Sequence, residues 1–96
     1  MDLLSTVRKH RQEILRIASE YGAFEVRIFG SATRGESHPD SDIDVLVKLG
    51  PGRSLLDIVA IKQDLEDLLG TPVDVVTEAS ISPYIRDDVL REAVAL

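Results

Sequence analysis

Apolar side chains at Leu4, Val7, Ile14, Ala18 and Tyr21 recur at spacings that fit 3.6 residues per turn, and Gly22 follows as a C-cap. This predicts one amphipathic helix from Asp2 to Tyr21. The period then shortens: Phe24 to Phe29 is rich in aromatic and β-branched residues and predicts a strand. At Gly30-Ser31 that strand should end, with Ser31 capping a short helix through Arg34 and Gly35 stopping it. Glu36 to Ser41 has no apolar residue and reads as a surface loop into a second strand, from Asp42 to Lys48.

Gly50-Pro51-Gly52 breaks the chain. Ser54 and Asp57 stand at capping-box spacing before Leu55, Ile58, Ile61, Leu65, Leu68 and Leu69, which predict a helix closed by Gly70. Pro72 to Thr77 predicts a third strand, and Ser82-Pro83 a cap and first-turn proline before a final helix carrying Ile85, Val89 and Leu90. Ala93-Val94-Ala95-Leu96 forms an apolar tail expected to pack on its own domain. The order argues for a small α/β (α+β) domain, a mixed sheet of three or four strands with helices packed against it. Residues 1–96 are read as one domain.

Composition narrows the chemistry. The chain has no cysteine, which excludes disulfides, thiolate catalysis and zinc-cysteine sites, and an intracellular, cytoplasmic location is expected. No apolar stretch approaches the ~20 residues that span a bilayer, so no membrane role is expected. Seventeen acidic against eleven basic residues give a net charge of -6, which disfavours a nucleic-acid partner. The basic cluster Arg8, Lys9, Arg11 reads as a solvated helix face, and His10 and His38 as surface residues.

Three groups of residues change the picture. Gly30 and Ser31 at a strand end could turn backbone N–H groups and a hydroxyl toward a phosphate. Asp42 and Asp44 open the next strand, and alternation puts both carboxylates on one face, roughly 6.5 to 7 Å apart along the backbone. Asp74, the lone charge in Val73 to Val76, is a third carboxylate for the same cluster if its strand is a neighbour. Oxygen donors of this kind suit Mg²⁺, or Mn²⁺, and not zinc. Taken singly, Gly-Ser reads as a helix cap, Asp-Ile-Asp as edge acids and Asp74 as half of an ion pair. Tyr84 beside Pro83 reads as a packing residue and not as a base-stacking one.

Together Gly30-Ser31, Arg34-Gly35, Ser41-Asp42-Ile43-Asp44 and Asp74 resemble the signature of the DNA polymerase beta-type nucleotidyltransferase superfamily. The short length resembles the minimal nucleotidyltransferase branch, whose members are antitoxins beside HEPN-type toxins. The resemblance implies a nucleotidyltransferase-like fold and binding of a nucleoside triphosphate with Mg²⁺. It puts Gly30, Ser31, Arg34 and Ser41 on the nucleotide, and Asp42, Asp44 and Asp74 on the metal and in catalysis. It further implies transfer of AMP from ATP to a hydroxyl of a HEPN-type toxin; the sequence leaves a homo- or hetero-oligomer open. Two alternatives stand beside it: a non-catalytic antitoxin that acts by binding, and the catalytic subunit of a small-molecule nucleotidyltransferase.

Overall fold

The computed structural model describes residues 3–30 and 42–96. Its N-terminal helical region is two helices, α1 (Leu3–Lys9) and α2 (Arg11–Glu20), where the sequence predicts one. The break falls at His10, whose N–H bonds to the Val7 carbonyl at 3.1 Å, a tightened turn. A continuous helix would swing position 11 into the apolar arc. The break leaves Arg11 exposed, donating to the Leu96 carbonyl at 3.3 Å. His10 is half-buried, and its Nδ1 lies 2.9 Å from Glu13 Oε2.

Among the described residues, three strands follow the predicted order and a fourth is added. β1 (Ala23–Phe29), β2 (Ile43–Leu49) and β3 (Val73–Thr77) are joined by β4 (Val94–Ala95), and the sheet order is β3-β2-β1-β4. β1 runs antiparallel to both β2 and β4, whereas β2 and β3 are parallel, so the sheet is mixed as expected. β4 is too short for a periodic signal. Its place is set by pairing, since Val94 and Ala95 sit opposite Ile28 and Arg27, and the Leu96 N–H bonds to the Val26 carbonyl at 3.1 Å. The apolar tail therefore packs on its own chain.

The crossover between β2 and β3 is α3 (Leu55–Leu69), started by the predicted capping box. Ser54 accepts from the Leu56 N–H and Asp57 accepts from the Ser54 N–H, satisfying two donors that a helix N-terminus otherwise leaves open. Gly70, with φ 67°, ends it in the left-handed conformation. α4 (Arg86–Glu92) begins later than Ser82-Pro83 predicts. Ser82 instead closes a preceding turn, its carbonyl accepting from the N–H groups of Ile85 and Arg86.

Burial separates the two faces of the sheet. One face carries Val26, Ile28, Ile43, Val45, Val47, Val73 and Val75 against Val7 of α1, Ile14, Ile17 and Ala18 of α2, and Ile58, Ile61 and Leu65 of α3. The other is covered by α4, where Val89 and Ile81 pack on Leu46 with Phe29, Val76, Leu90 and Ala93 around them. Between its two ends β2 is thus apolar on both faces, and its far end carries Lys48, paired with Glu25, while its start carries an acid. That acid is Asp44.

Candidate active site

The sheet's connectivity brings one end of three strands together. β1 ends at Phe29, and because β2 is antiparallel to it and β3 parallel to β2, the starts of β2 and β3 lie at that same end. Asp44 is the register partner of Phe29 on one side and of Asp74 on the other. Directly opposed residues share a face, so the two carboxylates stand next to each other on strands about 4.8 Å apart. Asp42 immediately precedes β2 and is exposed, and Ile43 continues the pairing with a 3.0 Å bond to the Pro72 carbonyl. Asp74 is exposed and Asp44 half-buried. Ser31, Arg34 and Ser41 lie outside the described residues, as do the predicted short helix, the loop to Ser41 and His38.

Gly30 matters for its missing side chain. It has φ 77°, a conformation that residues with a Cβ rarely adopt, and an added Cβ would collide with the Asp44 carboxylate. The acid therefore lies directly against the backbone at the end of β1. A cavity of about 410 Å³ opens there, walled by Gly30, Asp44 and Phe29 from the sheet and by Ile85, Asp88, Val89 and Glu92 from α4 and its N-cap. Its size falls in the range of small-molecule sites. The spacing 85, 88, 89, 92 is one helix face, a signal present in the sequence that drew no attention to Asp88 and Glu92.

A divalent ion suits this donor set in part. The paired Asp44 and Asp74 offer carboxylate oxygen, which hard cations prefer, and the bare Gly30 backbone lets the Asp44 carboxylate lie against it. Among the described residues, however, no three His, Cys, Asp or Glu side chains are gathered closely enough to enclose a metal. The structure thus puts Asp44 and Asp74 side by side, with Asp42 one alternation earlier at the strand's entrance.

The start of β3 is held by side chains. Glu66 of α3 accepts from the Val73 N–H at 3.0 Å, and Lys62 donates to the Val73 carbonyl at 2.9 Å and to Glu66 at 2.9 Å. The exposed edge of β3 is satisfied by α3 at the residue before Asp74. The ammonium of Lys62 and the N–H of Val73 hold the Glu66 carboxyl below the usual range.

A larger cavity, about 570 Å³, lies at the opposite end of the sheet and includes Phe24, Lys48, Glu78 and Arg86 in its wall. Two of its basic groups are paired with acids, Lys48 lying 2.8 Å from Glu25 and Arg27 3.4 Å from Glu78, while Arg86 donates to the Glu78 carbonyl at 3.2 Å. No pair of acids faces another there. Size favours that cavity, but register favours the smaller one, and metal or phosphate chemistry follows register.

A mixed four-stranded sheet with a glycine turn against paired strand acids defines a nucleotidyltransferase fold. Residues 7–96 match the nucleotidyltransferase domain family, and the chain belongs to it, as a nucleotidyltransferase of the minimal type. It is 38% identical over 93 residues to protein adenylyltransferase MntA of Thermococcus cleftensis, covering 97% of this chain and 91% of that protein. A candidate protein adenylyltransferase of Methanocaldococcus jannaschii is 44% identical over 88 residues, 92% of this chain and 95% of that one. Among solved structures, one of a minimal nucleotidyltransferase superposes with a TM-score of 0.87 at 48% identity, covering 100% of this chain and 97% of the other. A toxin–antitoxin structure with AMP-PNP shares the fold at 23% identity and a TM-score of 0.74, covering 88% of this chain and 69% of that one. Among the described residues no helix is long and apolar enough to cross a membrane.

Proposed function

We propose that this chain transfers AMP from ATP to a hydroxyl of a partner protein, and that the partner is a HEPN-type toxin which the transfer silences. The observation that carries the reading is the Asp44–Asp74 register pair against the bare backbone of Gly30. The names of its relatives as protein adenylyltransferases support the reaction class. In this reading residues 1–96 act as one catalytic domain, in the cytoplasm.

Asp42, Asp44 and Asp74 would hold Mg²⁺, or Mn²⁺ in its place, which when bound neutralises triphosphate oxygens and eases departure of pyrophosphate. Gly30 and Ser31 offer the phosphates backbone N–H groups and a hydroxyl, and Arg34 and Ser41 support the phosphates or the carboxylates. Asp74, the outermost of the paired acids, is the base that takes the proton of the acceptor hydroxyl. Phe29, Ile85 and Val89 supply apolar surface to the wall beside Asp44, which strengthens electrostatic interaction there, while Asp88 and Glu92 add acids to the same wall.

The test is incubation with labelled ATP, Mg²⁺ and the protein encoded beside this chain, with the double variant Asp42→Asn, Asp44→Asn as control. Label on the partner with wild type and none with the variant is expected. One observation favours a second reading, an antitoxin acting by binding alone: Leu55 and Leu56 on the first turn of α3 are 75% and 80% exposed, far from the acids. Equal neutralisation by wild type and variant, without label, would select it.

A further inference from the structure

Tyr84 is 95% exposed, the opposite of the packing role its sequence context predicts. It precedes Ile85, whose side chain walls the cavity beside Asp44. The Arg86 N–H bonds to the Ser82 carbonyl and the Val89 N–H to the Ile85 carbonyl, both at 3.0 Å and both four residues apart. Tyr84 therefore lies in the turn closed by Ser82, directly ahead of the Ile85 N-cap of α4. Tyr84 and Asp88 stand at i and i+4, and Asp88 belongs to the same cavity wall. Tyr84 thus adjoins two residues of the cavity wall, Ile85 in sequence and Asp88 one turn on.

Among the described residues, the hydroxyls of Ser82 and Ser80 are engaged locally. Ser82 Oγ accepts from the Tyr84 N–H, and Ser80 Oγ donates to the Thr77 carbonyl at 2.8 Å. The chain's second tyrosine, Tyr21, donates its hydroxyl to Asp64 at 2.9 Å, which pushes its ionisation above the ordinary range. A phenol is also a better nucleophile precursor than an alcohol, because it gives up its proton more readily.

We infer that Tyr84 is a self-modification site, the acceptor of a nucleoside monophosphate transferred from a nucleoside triphosphate in this chain's own Asp44 cavity. The inference rests on the proposed adenylyl transfer. The phenolic oxygen attacks the α-phosphorus and a new P–O bond forms there. The bond from that phosphorus to the bridging oxygen breaks, and pyrophosphate leaves with the electron pair. The phenolic proton passes to a carboxylate of the cavity wall and then to solvent. The product carries an added negative charge one turn from Asp88 and a bulky group next to the cavity wall, so the modified chain should turn over more slowly.

Intact-protein mass spectrometry with peptide mapping, after incubation with ATP and Mg²⁺, tests this with and without the gene-neighbour protein. One adenylyl group on Tyr84 is expected for wild type, and none for Tyr84→Phe or Asp44→Asn. An adduct that persists in Tyr84→Phe overturns the assignment. So does a reaction in which the neighbour protein becomes adenylylated while Tyr84 stays unmodified, and there the transfer reading survives. If neither protein gains the group, the transfer reading fails and this inference falls with it.

Discussion

The two ends of the sheet treat charge in opposite ways. At the end where β1 starts and β2 and β3 finish, each strand charge meets its opposite, Lys48 with Glu25 and Arg27 with Glu78. Each partner there moves the other in the direction of an ordinary ion pair, Glu25 lowered by Lys48 and Lys48 raised by Glu25. At the other end an aspartate faces an aspartate. Like charges directly opposite on neighbouring strands destabilise a sheet, so the Asp44–Asp74 register pair carries a local cost in folding. The contrast teaches that sign, and not charge count, marks the site.

Several changes would break or sharpen that contrast. Asp44→Asn should cut transfer by on the order of a hundredfold or more in an initial-rate assay with ATP, while far-ultraviolet dichroism stays unchanged. Gly30→Ala should act at the same end through geometry, because its Cβ would displace the Asp44 carboxylate. A loss of transfer near that of Asp44→Asn is expected, and wild-type rates would refute the close-approach argument. In the core that both ends share, Ile61→Ala should lower unfolding free energy by about 2 to 5 kcal/mol in urea titration, because Ile61 is fully buried between α3 and the sheet.

Smaller effects should come from the surfaces that hold the ends. Ser54→Ala removes the α3 cap and should cost about 1 kcal/mol, read by the same titration. Glu66 gives a pH signature. Its carboxyl is held below the usual range in the folded chain, so its contribution is present above the unfolded carboxylate value and is lost as pH falls through the folded one. Wild type should therefore lose melting temperature in that acidic window faster than Glu66→Gln. Parallel curves for the two would remove Glu66 as the anchor of β3.

Much of this was legible from the sequence because the signals are local. The α3 capping box, the Gly70 stop and three strands follow from residue spacing alone, and they occur where spacing predicts them. Asp42 and Asp44 could be put on one face by alternation. The misses are where a tertiary contact overrode a local signal. Arg11 would have sat in the apolar arc of one long helix, and the break at His10 releases it toward Leu96. Ser82-Pro83 carries a good cap, yet the turn it closes delays α4 to Arg86. Tyr84 beside Pro83 reads as a packing residue, yet it is exposed on the turn ahead of α4.

The sequence by itself determined the elements, the acids available and the glycine that lets a backbone approach them. These are properties of spacing and of single residues, fixed by helix and strand period and by the absence of a side chain at Gly30. Only the tertiary structure decided which acids meet and what surrounds them. The parallel pairing of β2 with β3 sets Asp44 against Asp74, the β4 tail closes the far edge of β1, and α4 folds back to wall the cavity with Asp88 and Glu92. Strand register depends on the whole hydrophobic face, which is buried cooperatively, and no stretch of a few residues carries that information.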